Sequence, residues 1–215
     1  MMDKKQKFVI TINRELGSGG RTVGRKLAEK LGVPYYDKLL IQSLEEKYHL
    51  SVEDIEKEKG KKHPWLTYLK NAFMSIAQNK DELWYYQMIN GEPGDMVTSE
   101  ETFKMEQIIL KGAAEEQSCI IAGRSGFYVF ANHPNHLSIM FQAPMEHRIE
   151  RVMRKQNLSR EDAEKAIKHV DKMRENYVKN YTGKSRYDTR NYDLVINMEG
   201  ITEDEAVDLI LSYIK

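Results

Sequence analysis

One stretch near the amino terminus restricts the possible folds more than any other. An apolar, β-branched run at residues 7–13 (KFVITIN) passes through the glycine-dense loop RELGSGGR into an amphipathic segment at residues 22–31. There Val23, Leu27, Ala28 and Leu31 recur at helical spacing, and Gly32 and Pro34 stop the pattern. A buried strand that turns through glycines directly into a helix is the opening unit of a parallel α/β domain. Such a turn also aims successive backbone N–H groups and the positive end of the helix at one point. Gly17, Ser18, Gly19, Gly20, Arg21 and Thr22 are therefore a candidate cradle for phosphate, with the Thr22 hydroxyl placed to ligate a magnesium ion. Glycines alone fit an ordinary turn equally well; their position between a buried strand and a helix favours the anion.

The remaining sequence repeats the alternation. Residues 35–37 read as a short strand or its end, 38–48 as a helix and 98–116 as an amphipathic helix carrying Phe103, Met105, Ile108, Ile109 and Ala113. Strands are predicted at 118–122, 137–143 and 192–197. A base-rich helix is predicted over 144–156, another opened by Ser159 with Asp162 as its capping partner, and a closing one over 201–214 capped by Thr202. The economical architecture is a parallel sheet flanked by helices. The texture changes between about 45 and 105, with a charge run at 57–62, aromatics from Trp65 to Trp84 and a turn cluster at 90–95. That stretch reads as a mostly helical arm over the core.

Composition narrows the function. The 215 residues hold 33 Lys+Arg against 33 Asp+Glu, so the chain lacks the overall basic field of a nucleic-acid or membrane-surface protein. With a single cysteine, Cys119, there is no internal disulfide and no multi-thiolate metal site. The six histidines show no metal-ligand spacing. Neither a secretory leader nor a run of about 18 apolar residues is present, so the expectation is a soluble cytoplasmic protein without nucleic-acid or membrane partners.

The segment ITINRELGSGGRTVGRKLAEKLGVPYYDKLL resembles the opening of the cytidylate kinase-like proteins, relatives of bacterial cytidylate kinase among the P-loop nucleoside monophosphate kinases. IIAGRSGFYVF resembles that family's glycine-arginine element after a core strand. LSIMFQAPMEHRIERV resembles its next strand and the basic helix leading into the lid, and NYDLVINMEGITEDEAVDLI its terminal strand and helix. The resemblance implies a single α/β domain over 1–215: a P-loop-type three-layer fold with a parallel β-sheet core, a helical acceptor-side arm at about 45–105 and an arginine-rich lid at about 146–190. It implies transfer of the ATP γ-phosphoryl group, with Mg²⁺, to a nucleoside monophosphate of CMP type. ATP phosphates would lie over residues 17–22, with Mg²⁺ on Thr22.

Two positions depart from the family pattern. With Thr22 on the family's threonine, Gly20 stands where the loop lysine belongs and Arg14 where the first glycine belongs. Ala122 stands where an aspartate often precedes the glycine-arginine pair. Arg21, beside Gly20, is the cation expected to take over the lysine's task, although a planar guanidinium is no simple replacement for an ammonium. These departures keep two alternatives open: a kinase of another small metabolite, and a nucleotide-binding regulatory protein with impaired catalysis.

Further basic candidates follow. Arg124 ends a predicted core strand, where ligands of open α/β sheets bind, and its guanidinium suits an acceptor phosphate; pairing with a carboxylate is the alternative. Arg148, Arg151 and Arg154 recur at spacing of three, joined by Lys155, Arg174, Lys184, Arg186 and Arg190. Of these, Arg148, Arg151 and Arg174 are the candidates for neutralising charge on a transferred phosphoryl group; a solvated basic face, with Glu146 and Glu150 absorbing part of the charge, is the alternative. Asp37 either orients the acceptor or holds magnesium through water, or else caps the following helix. Tyr177 and Tyr181, at i and i+4, read as core packing.

Overall fold

The computed structural model describes residues 2–37 and 100–215. In chain order its elements are β1 (Val9–Arg14), α1 (Gly20–Leu31), β2 (Tyr35–Tyr36), α2 (Glu100–Glu116), β3 (Cys119–Ala122) and the short α3 (Gly126–Val129). There follow β4 (His136–Gln142), α4 (Met145–Gln156), α5 (Arg160–Thr182), a 3₁₀ turn (Thr189–Asn191), β5 (Leu194–Asn197) and α6 (Glu203–Tyr213). The helix expected at 38–48 lies outside the described residues. So does the expected arm, with its charge run, aromatics and turn cluster, apart from residues 100–105, which open α2.

The five strands form one parallel sheet in the order β2-β3-β1-β4-β5. Central β1 pairs with β3 on one side and β4 on the other, and Val9, Ile10 and Ile12 are buried as a strand covered on both faces requires. Successive residues of β1 point to opposite faces. Gly24 of α1 approaches Ile12 while Gly126 of α3 approaches its neighbour Thr11, which puts α1 and α3 on opposite faces of the sheet. This makes the three layers expected from the sequence.

The main core joins Ile10, Ile12, Val23, Leu27, Ile139, Phe141 and Ile210. A second, smaller core lies under α4 and α5, where Ile149, Val152, Ala163, Ile167 and Val170 enclose Leu16 from the loop after β1. The predicted caps are present: Ser159 accepts from the Asp162 N–H, and Thr202 forms a reciprocal capping box with Glu205. Three local features differ from the sequence reading. Helix α1 starts at Gly20 instead of residue 22, and neither α3 nor the 3₁₀ turn was anticipated, each being too short for a periodic signal. No helix among the described residues is long and apolar enough to cross a membrane.

Candidate active site

The loop leaving β1 sits at the carboxyl end of the central strand, between β3 and β4, where open α/β sheets bind ligands. Four sets of contacts shape it. The Glu15 N–H donates to the Phe141 carbonyl (3.0 Å), prolonging the β1–β4 ladder, and the Glu15 carboxylate accepts from the Ala143 N–H (3.1 Å). The Ser18 hydroxyl and N–H both donate to the Glu15 carbonyl, closing the turn. At Gly17, φ is +81° and a Cβ would stand 2.7 Å from the Arg148 carbonyl, so conformation and space both demand glycine. Gly20 has ordinary helical backbone, yet a Cβ there would meet Phe141 Cβ at 2.8 Å and Arg14 Cβ at 2.9 Å.

Arginines from α4, α5 and the segment beyond converge on this loop through one carboxylate. Asp171 accepts from the Leu16 N–H (3.0 Å) and forms ion pairs with Arg148 (2.6 Å), Arg186 (3.2 Å) and Arg174 (3.6 Å). Arg174 and Arg186 also donate to the Arg14 carbonyl. Arg148 reaches the Leu16 carbonyl and lies 3.7 Å from the Glu15 carboxylate. Asp171, Arg148 and Arg186 are all buried, and Arg186 is entirely sequestered. Such a cluster persists only because each charge has a partner. Arg151 lies over the loop itself, donating to Thr22 Oγ1 (3.2 Å), pairing with Glu203 (2.7 Å) and passing about 3.5 Å from where a Gly19 Cβ would be.

The structure thus brings Arg148, Arg151 and Arg174 to residues 14–22 and leaves Arg154 and Lys155 exposed. Spacing of three on a helix drifts by about 60° per step, so Arg154 has turned away from the face that Arg148 presents. Glu146 pairs with Arg160, and exposed Arg190 with Asp188, away from this cluster. Arg21 and Asp37 find each other: their ion pair (3.0 Å) is buried where α1 meets the end of β2. Arg124 takes the carboxylate-paired alternative, bound to buried Glu106 with its guanidinium 4.4 Å from the centre of the Tyr177 ring. Tyr177 in turn donates to Glu106 (2.6 Å), and Phe103 stacks on Tyr181 at 4.7 Å, so the tyrosine pair packs as the sequence implied. Arg124 and Ser125 both have φ of +53°, a left-handed conformation that costs a non-glycine residue about 1 kcal/mol or more and clusters at functional loops.

No group of three or more His, Cys, Asp or Glu side chains able to hold a metal ion occurs among the described residues. Burial pushes the Tyr35 phenol, next to this site, up to about 12, and the Cys119 thiol likewise to about 12, so Cys119 is an inert core residue.

Comparison with known proteins agrees with this architecture. The profile of the cytidylate kinase-like family matches residues 9–200. The chain belongs to the cytidylate kinase-like family. It is 25% identical to a cytidylate kinase of Methanopyrus kandleri over 215 residues, covering 96% of this chain and 92% of the relative. It is 26% identical to a cytidylate kinase of Pyrococcus horikoshii, covering 90% and 81%. Among solved structures, an uncharacterized protein from Eubacterium ventriosum matches with a TM-score of 0.64 at 25% identity, covering 97% of this chain and 98% of that one. A gluconokinase from Sinorhizobium meliloti shares the fold, with a TM-score of 0.50 at 13% identity, covering 96% and 90%.

Family membership and the site's cationic architecture together support kinase chemistry on a nucleotide or other small molecule. Within this candidate site, sequence reasoning missed Asp171 and Glu15 and named Arg186 only as one basic residue among many. The i, i+3 pair Asp171 and Arg174 was the available signal for the hub. Arg14, noted only as a departure at the first-glycine position, is where the carbonyl grips of Arg174 and Arg186 meet.

Proposed function

We propose that this chain transfers the γ-phosphoryl group of ATP to a small phosphorylated acceptor, with a nucleoside monophosphate of CMP type as the foremost candidate. An acceptor phosphate oxygen attacks the γ-phosphorus, the bond to the β,γ-bridging oxygen breaks, and ADP leaves. The observation that carries this reading is the glycine loop at the carboxyl end of the central strand with Arg148, Arg151 and Arg174 gathered on it. Phosphoryl transfer asks the protein for positioning and charge neutralisation, which such an arrangement supplies. The ATP phosphates are assigned to Gly17, Ser18, Gly19, Gly20, Arg21 and Thr22, and the acceptor to the side of Asp37 and Arg124, whose partners Arg21 and Glu106 hold them in place.

Magnesium arrives with ATP. Thr22 Oγ1 accepts a hydrogen bond from Arg151 and keeps a second lone pair for the ion. Mg²⁺ keeps waters and substrate phosphates as most of its ligands, so few protein groups are needed to hold it. We take residues 1–215 as one kinase-like domain with an acceptor-side arm at about 45–105 and a lid at about 146–190. The departures at Gly20 and Ala122 favour a second reading, a nucleotide-binding regulatory protein. A coupled assay of ADP release with Mg-ATP against the common nucleoside monophosphates and small hydroxylated metabolites tests both. Turnover with CMP or a related monophosphate supports the proposal. Turnover with other metabolites only moves the substrate class, and nucleotide binding without turnover on any acceptor supports the regulatory reading.

A further inference from the structure

The loop after β1 contains no lysine, and its structure shows why one cannot simply be restored at residue 20. A Cβ on Gly20 would overlap both Phe141 and Arg14. The space that a side chain at residue 20 would enter is filled by the stem of Arg14. From the last position of β1 this side chain passes Gly20 in the first turn of α1 and reaches the loop after β3. There Nη1 lies 2.7 Å from where a Cβ on Gly123 would be, so Gly123 too is kept bare by the guanidinium. Two positions without side chains therefore border one arginine. Its backbone is held by Arg174 and Arg186, which both donate to its carbonyl.

The destination of that guanidinium matters. It lies beside Gly123, just beyond the end of β3, the strand that pairs with β1. Residue 122, at the end of β3, is alanine. Two buried hydroxyls near these strand ends, Tyr35 Oη and Ser125 Oγ, have no hydrogen-bond partner among the described residues, as befits a polar site that completes itself with a ligand.

We propose that Arg14 supplies the positive charge on the transferred phosphoryl group that a loop lysine supplies elsewhere, delivered from the end of β1 through the gap between Gly20 and Gly123. The charge is the same, but its origin has moved from the helix start to the strand end. A planar guanidinium presents several donors in a fixed fork, matching phosphoryl oxygens that spread equatorially in the transition state. This assignment rests on the kinase reading above.

The test is calorimetric binding of Mg-ADP, alone and with tetrafluoroaluminate as a transition-state mimic, to wild type, Arg14→Met and Arg14→Lys, each checked for folding by thermal denaturation. Wild type should bind the fluoroaluminate complex more tightly than ADP alone. Arg14→Met should keep ADP affinity within a few-fold and lose about 10²–10³ of affinity for the mimic. Arg14→Lys, which keeps stem and charge, should recover part of that loss and remains informative if the methionine variant is unstable. Equal affinity of wild type and both variants for the mimic overturns the role of Arg14 and leaves the kinase reading standing. Failure of wild type to bind ADP at all overturns both.

Discussion

At the scale of single residues, the loop's glycines do different work. Gly17 is required by a positive φ and by the Arg148 backbone, whereas Gly20 is required by Phe141 and Arg14 alone. Gly20→Ala should cost about 1–3 kcal/mol in urea denaturation, the usual penalty for overpacking, and Gly20→Lys should not raise activity. An alanine variant as stable as wild type would mean that the close contact with Arg14 does not exist in solution. His136 offers a pH readout at the opposite end of the sheet. Burial lowers its pKa from 6.5 to about 4 while Thr11 Oγ1 lies 2.7 Å from Nε2. Between pH 6.5 and 4 the unfolded chain therefore binds this proton and the folded one does not. Stability should fall on acidification across that window, by up to about 1.4 kcal/mol per pH unit from this group. His136→Gln should show a shallower loss in urea unfolding at pH 7, 6 and 5, and identical slopes would contradict the assignment. The residue scale was also where the sequence was least legible. Glycine placement and the existence of a basic cluster could be read from spacing. That Arg21 would face Asp37, and Arg124 face Glu106, could not, because residues 124 and 106 are brought together only by tertiary packing.

At the scale of elements, α4 and α5 are fastened to the phosphate-loop candidate twice. Leu16 inserts into their apolar seam, and Asp171 ties the Leu16 N–H to three arginines. Asp171→Asn removes the charge that compensates Arg148, Arg174 and Arg186 and should destabilise the protein by about 3–5 kcal/mol, measured in urea. A loss below 1 kcal/mol would show that the arginines find other partners. Strands and long helices were legible because apolar periodicity and caps are local: Ser159 and Thr202 stand where the sequence put them. The coupling of Leu16 to two helices about 130–155 residues later was not, since no periodicity links them. If this helix pair also acts as a lid, Mg-ATP with acceptor should slow amide exchange in residues 145–182 more than in β1 and β3. Equal exchange with and without ligands would leave it a fixed platform.

At the scale of the whole molecule, the fold was readable because one strand–glycine loop–helix unit and three later strand segments leave few parallel arrangements. The observed strand order places that first unit at the centre of the sheet, with its loop next to the ends of β3 and β4. Composition contributed only exclusions. The acceptor's identity was not legible, because a specificity pocket depends on shape and not on a local pattern. The placement of ATP phosphates on the loop between β1 and α1 carries the proposed function. It is tested most directly by titrating ¹⁵N-labelled protein with Mg-ADP and following backbone amide resonances. Saturable shifts largest at residues 17–22, smaller in the sheet interior, are the predicted result; saturable binding that leaves those six amides unmoved would contradict it.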